Sequence, residues 1–234
     1  MKYLFIIFAM FSLLGCAMTP ENVVSSGNQI VVEFKVAGKI NINNRDDKGL
    51  LRNYFIAINC DNSNGSYGPI PVVYKASNEY GWGNGWGTSD KASESLGITS
   101  FMKYDLNNSS GNFYKIIPNT QLRQYSSPIT PISCEITDDG KGIRAIIDYS
   151  QIATSSVLAA DITKLQINII NTNLIISNTN ESTPGRRYDA LSSFVDINTK
   201  NSYTYSGTDD NGDIADPDMD ITSWKIEVKY SGNN

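Results

Sequence analysis

Histidine is absent from all 234 residues. That excludes every Ser-His-Asp and Cys-His catalytic arrangement, every imidazole metal site and every histidine acid/base. Basic side chains are in the minority, 19 Lys and Arg against 24 Asp and Glu, for a formal charge of -5 and a pI near 4.8. Phosphate binding needs a basic face, so nucleic acid is not an expected partner. Long apolar runs are also lacking. The longest stretch, Tyr3 to Leu14, falls short of the roughly 20 residues of a spanning helix. Cysteine occurs only three times. What remains is ordinary globular composition, 40% hydrophobic and 18% charged, in a length that suits one large domain or two small ones.

The N-terminus has the layout of an export signal, with Lys2 followed by the apolar run Tyr3 to Leu14. Leu13-Leu14-Gly15-Cys16 closely resembles the lipobox of bacterial lipoproteins. The resemblance implies cleavage before Cys16 and acylation of that cysteine. The alternative is an apolar first strand that happens to end in Cys. Each buried methylene contributes about 0.8 kcal/mol, and stable anchoring takes more than one acyl chain. Loss of residues 1–15 removes Lys2 as the only charged side chain, so the formal charge goes from -5 to -6. Ala17, rather than Asp, after the cysteine implies the outer membrane where the host has one. Ala17 to Gln29 is rich in Ser, Asn, Thr, Pro and Gly and reads as a tether with a reach of roughly 20 Å. The expected division is a signal at 1–15, a lipidated Cys16 with tether at 16–29, and a folded body at 30–231.

With Cys16 lipidated, Cys60 and Cys134 form an even remainder. Export to an oxidising compartment permits a disulfide between them. The alternative is two buried free thiols acting as small hydrophobes.

Beyond the tether the apolar pattern has period two. Ile30 to Val36, Lys39 to Ile42, Tyr54 to Ile58, Ile70 to Tyr74, Phe101 to Leu106, Phe113 to Ile117, Ile132 to Thr137, Ile143 to Tyr149, Leu165 to Ser177, Tyr203 to Tyr205 and Trp224 to Tyr230 are predicted strands. Turn-forming clusters stand between them at Asp61 to Gly65, Asn107 to Gly111, Asp138 to Gly140 and Ser206-Gly207. Only Ser150 to Leu158 suggests a short helix, with Ser150 as its cap. Strands without long alternating helices predict an all-β fold, a single antiparallel β-sandwich of immunoglobulin-like or jelly-roll-like type.

Several segments in order, Tyr54-Phe55-Ile56-Ala57-Ile58-Asn59, Gly68-Pro69-Ile70-Pro71-Val72, Leu165 to Ile169, Arg187-Tyr188-Asp189-Ala190-Leu191 and Asp218 to Val228, resemble the extracellular sandwiches of the DOMON and family 9 carbohydrate-binding type. The resemblance spans roughly residues 28 to 230 and implies a sandwich fold, with sugar binding as an analogy.

Two segments are candidate sites. Gly81-Trp82-Gly83-Asn84-Gly85-Trp86-Gly87, preceded by Tyr80, sets two of the three tryptophans four residues apart among glycines. Aromatic faces stack on sugar C–H surfaces and glycine lets a backbone approach a ligand. Trp82, Trp86, Tyr80 and Asn84 are thus the candidate ligand-binding residues, with Asn78, Glu79 and Asp90 as further hydrogen-bonding groups. The plain alternative is indoles folded back over an open end of the sandwich.

The other segment, Thr208 to Asp220, holds six carboxylates and no base. Asp209, Asn211 and Asp213 repeat the oxygen spacing of calcium loops and Asp220 falls at the twelfth position. Ile214 stands where such a loop needs Gly and Pro217 intrudes, so a looser Ca²⁺ site on Asp209, Asn211, Asp213 and Asp220 is weighed against a solvated acidic loop. Arg186-Arg187 reads as the source of a structural salt bridge to a nearby strand, the alternative being a grip on an acidic group.

No catalytic motif emerges, though carboxylate pairs meet only in space. The expectation is a non-enzymatic lipoprotein of the cell envelope, held to a membrane by its lipid, with a binding sandwich for polysaccharide. The alternative is an assembly protein contacting another envelope protein.

Overall fold

The structure, a computed structural model, describes residues 27–47, 49–61, 68–69, 98–115, 126–173 and 188–231. Two antiparallel sheets face each other. The first has strand order β10-β11-β1-β6-β5, built from β1 (Gln29–Val36), β5 (Ser133–Ile136), β6 (Gly142–Asp148), β10 (Tyr203–Thr208) and β11 (Ile221–Lys229). The second runs β4-β3-β2-β7-β8, from β2 (Asn53–Asn59), β3 (Ser100–Asp105), β4 (Asn108–Lys115), β7 (Lys164–Thr172) and β8 (Tyr188–Ala190), with β9 (Val195–Asn198) sharing the β7 edge. The chain is an all-β sandwich, as the alternation of its apolar residues predicts.

Alternate side chains fill the space between the sheets. Ile30, Val32, Phe34 and Val36 of β1 and Ile143, Ala145 and Ile147 of β6 meet Tyr54, Ile56 and Ile58 of β2 and Leu165, Ile167 and Ile169 of β7 in one buried cluster. A bulge opposite Lys35/Val36 shifts the parity of β11, so Ile221 joins Ile226 and Val228 on the inner face. The outer face of the first sheet is charged, with Glu33, Arg144, Lys225 and Glu227 around Val31. The outer face of the second carries a separate apolar cluster of Phe55, Ala57, Ile98, Phe101 and Ile170. Hence β2 is buried along its whole length, which is why its sequence is a continuous apolar run rather than an alternating one.

Several expectations fail locally. Lys39 to Ile42 forms no strand: Ile40 and Ile42 are buried, but the backbone bonds to Gly140 and the Tyr54 hydroxyl instead of a ladder. Asn107 to Gly111 is not a turn cluster; the reversal is Leu106-Asn107, held by the Asn107 amide donating to Asp105 Oδ1 at 2.9 Å, and β4 starts at once. Ser206-Gly207 lies within β10, where Gly207 opposes Trp224 and a Cβ would stand 2.7 Å from the indole. The helix shrinks to α1 (Tyr149–Ile152), capped by Asp148 rather than Ser150, with Gln151 completing the capping box. Ile70 to Tyr74 lies outside the described residues. The strands β8 and β9 go beyond those expected from periodicity.

Candidate functional site

β1 starts at Gln29 against Lys229 and ends at Val36 against Ile221. The connection from β10 to β11, residues 209–220, therefore sits at the end of the sandwich away from Gln29, roughly 25 Å along the strand. Asp189 of β8 pairs with Asn171 near the end of β7 and lies at this same end.

Four of the six acidic residues of the connection fall into two groups. Asp216 and Asp218 meet Arg52, which stands just before β2. Arg52 Nε and Nη2 donate to the two carboxylate oxygens of Asp216 at 2.9 and 3.1 Å, Nη2 lies 3.6 Å from Asp218, and Nη1 donates to the Asn44 carbonyl. The Arg52 and Asp216 side chains are only 8% and 5% exposed. Burial works against the guanidinium charge, but the hydrogen bond and charge of Asp216 outweigh it and hold the Arg52 pKa above its ordinary value. The latch extends inward, because the Tyr54 hydroxyl donates to the Asp218 carbonyl at 2.9 Å, and Asp218 Oδ1 accepts from the Lys39 amide. The acidic segment is thus not a purely solvated loop, and its base, Arg52, comes from the distant approach to β2.

Asp213 and Asp220 form the second group with Asp189. One carboxylate oxygen from each lies within 4.8 Å of the others. Two unit charges at such a separation repel by about 4 kcal/mol at an effective dielectric constant near 20. Asp189 and Asp220 are 4% and 2% exposed, while Asp213 is exposed. Backbone amides aim the two buried groups: Ile221 donates to Asp189 Oδ2, and Gly212 donates to Asp220 Oδ2 at 2.9 Å. Burial, then the charges of Asp213 and Asp209, push the Asp189 carboxyl up to about 7. Burial also raises Asp209 and Asp220, with Asp213 contributing to both. Asp220 Oδ1 and Asp209 Oδ2 are buried without a hydrogen-bond partner among the described residues. Hard oxygen donors thus converge here, with one oxygen of Asp189 and one of Asp220 met by backbone amides.

Of the residues expected to hold calcium, the structure brings Asp213 and Asp220 together and sets the charge of Asp209 beside them. Asn211 is exposed in the turn before Gly212. Sequence reasoning missed Asp189 and Arg52. The available signal for Asp189 was a carboxylate between Tyr188 and the apolar pair Ala190-Leu191; for Arg52, a base just ahead of the apolar β2 run.

Cys16, Tyr80, Trp82, Asn84 and Trp86 lie outside the described residues, as do Asn78, Glu79, Asp90, Arg186 and Arg187. The Gly-Trp segment belongs to the connection from β2 to β3, whose flanks Cys60 and Ile98 stand at the Gln29 end. The bridge between Cys60 and Cys134 is not formed, and both are free thiols. They occupy separate surroundings: Cys60 Sγ lies 3.3 Å from the Ile152 carbonyl and accepts from the Thr99 hydroxyl, whereas Cys134, on edge strand β5, packs against Gly111 of β4. Burial pushes both thiols up, Cys134 to about 12 with Glu135 adding to the effect. Compared with models of protein families, with curated proteins and with solved structures, the chain matches none.

Proposed function

We propose that this chain is a lipid-anchored protein of the cell envelope whose sandwich serves as a non-catalytic binding module, with polysaccharide as the ligand of the Gly-Trp segment. One observation carries the binding reading. β2 and β3 are antiparallel neighbours, which a connection of about two to five residues would join, yet residues 60–99 lie between them, roughly 40 residues. Binding residues concentrate in the segments between the strands of a rigid scaffold, and this interval of the sequence carries Tyr80, Trp82, Asn84 and Trp86. Anchoring rests on the lipobox at Leu13 to Cys16 and on the short interval between Cys16 and the first strand at Gln29.

Pull-down of the full-length chain with insoluble polysaccharides tests the reading. Retention on at least one polysaccharide, lost in Trp82→Ala and Trp86→Ala with the fold intact by circular dichroism, is the expected result. Retention on none, or retention unaffected by both substitutions, rejects the glycan reading. Crosslinking to one envelope protein without any glycan binding would favour the assembly alternative instead.

A further inference from the structure

The ion pairs among the described residues pass over one group of acids. Arg52 engages Asp216 and Asp218, Lys35 engages Asp139, Lys103 engages Asp105, Arg144 engages Glu135 and Lys225 engages Glu227. None of these pairs includes Asp189, Asp209, Asp213 or Asp220. An acidic cluster alone has a simple outcome, which is solvation. Here solvation is denied to its inner half: Asp220 is 2% exposed, and its Oδ1 is sealed from solvent with no donor facing it among the described residues. Asp209 Oδ2 is in the same condition. A buried carboxylate oxygen without a partner is strongly unfavourable unless a proton or a cation meets it.

We propose that Asp189, Asp213 and Asp220, with Asp209 beside them, bind a single Ca²⁺ ion that clamps the two sheets together at the end of the sandwich away from Gln29. The donors are all carboxylate oxygens, which suit hard cations. Three oxygens within 4.8 Å of one another have a common centre no more than about 2.8 Å from each, so a small inward movement reaches the Ca²⁺ range of roughly 2.3 to 2.6 Å. Irregular geometry from separate segments suits Ca²⁺ better than Mg²⁺, which demands a near-ideal octahedron. Asp213, being exposed, gives the ion access to water for its remaining ligands. Asp189 belongs to the six-stranded sheet, while Asp220 leads into β11 of the five-stranded sheet, so one ion would bind both layers. That differs from a calcium loop, whose ligands come from one continuous segment.

The full-length chain, purified in detergent and stripped with a chelator, is titrated with Ca²⁺ and with Mg²⁺ by calorimetry and by thermal melting. Expected are one saturable Ca²⁺ site per chain, a melting temperature that rises with Ca²⁺, and an affinity at least about tenfold lower in Asp213→Asn. Asp213 is exposed, so its substitution leaves folding intact; Asp161→Asn, an exposed acid elsewhere, keeps the wild-type response. The proposal is overturned by an unchanged melt and no binding heat at millimolar Ca²⁺. It is equally overturned by a response no stronger for Ca²⁺ than for Mg²⁺, or by Asp213→Asn behaving as Asp161→Asn does.

Discussion

Replacing Arg52 with Met separates the latch from everything else in the acidic end. The substitution keeps the length and apolar stem of the side chain but removes both hydrogen bonds to Asp216, the 3.6 Å approach to Asp218 and the donor to the Asn44 carbonyl. Asp216, 5% exposed, is left as a buried charge without its partner. Breaking such a pair from one side costs about 3–5 kcal/mol, because the remaining ion still carries its desolvation penalty. For a body of this size each kcal/mol lowers the melting temperature by roughly 2–4 °C, so Arg52→Met should melt about 10 °C lower. Arg52→Met with Asp216→Asn removes the charge as well and retains an oxygen to accept from the Asp218 amide, so it should cost about 2 kcal/mol less than the sum of the single changes. Urea denaturation of the wild type, both single variants and the double variant gives the four free energies. Additivity within about 0.5 kcal/mol, or a cost below about 1 kcal/mol for Arg52→Met, would refute the description of this pair as a buried latch. Because the latch holds the turn from Asp216 to Asp220, Arg52→Met should also weaken Ca²⁺ binding through the position of Asp220.

Gly111 has φ +67°, and a Cβ there would stand 2.7 Å from Cys134 Sγ, so Gly111→Ala should destabilise by about 2–4 kcal/mol in urea melts, with partial rescue by Cys134→Ala. Since Cys60 and Cys134 are not bridged, dithiothreitol should leave the melting temperature of the purified protein unchanged; a fall of several degrees would show a disulfide. Cys134 and Tyr149 are each raised to about 12, chiefly by burial, above ordinary values of 9.0 and 10.0. The folded state therefore holds protons that the unfolded chain releases first, so their contribution is intact below about pH 9 and is lost as pH rises towards 12. Urea midpoints measured from pH 8 to 11 should fall progressively, and a flat or rising series would contradict the burial of these groups.

The legible parts of the fold are those where local pattern and tertiary packing agree. Ile30 to Val36 alternates because one face of β1 meets the core, and Tyr54 to Ile58 is uniformly apolar because β2 is covered on both faces. Legibility fails where a residue answers to a distant neighbour. Gly207 signals a turn by composition, yet it is a strand residue made small by Trp224 across the ladder. Ile40 and Ile42 alternate like a strand because both are buried, but their backbone partners are Gly140 and Tyr54 rather than an adjacent strand. The acidic end shows the same limit. Asp213 and Asp220 are visible as a spacing within one segment, whereas Asp189 and Arg52 arrive from β8 and from the approach to β2, and only the stacking of the two sheets brings them there.

The central claim, a sandwich held to the envelope membrane by lipid on Cys16, is tested most directly by mass spectrometry of the mature N-terminus. The chain is expressed with its own first residues in a bacterium that processes lipoproteins, and Cys16→Ser serves as the control. The account predicts a wild-type protein lacking residues 1–15 and beginning with an acylated Cys16, and a Cys16→Ser protein carrying no lipid. An N-terminus still intact through residues 1–15, with Cys16 unmodified, would contradict it.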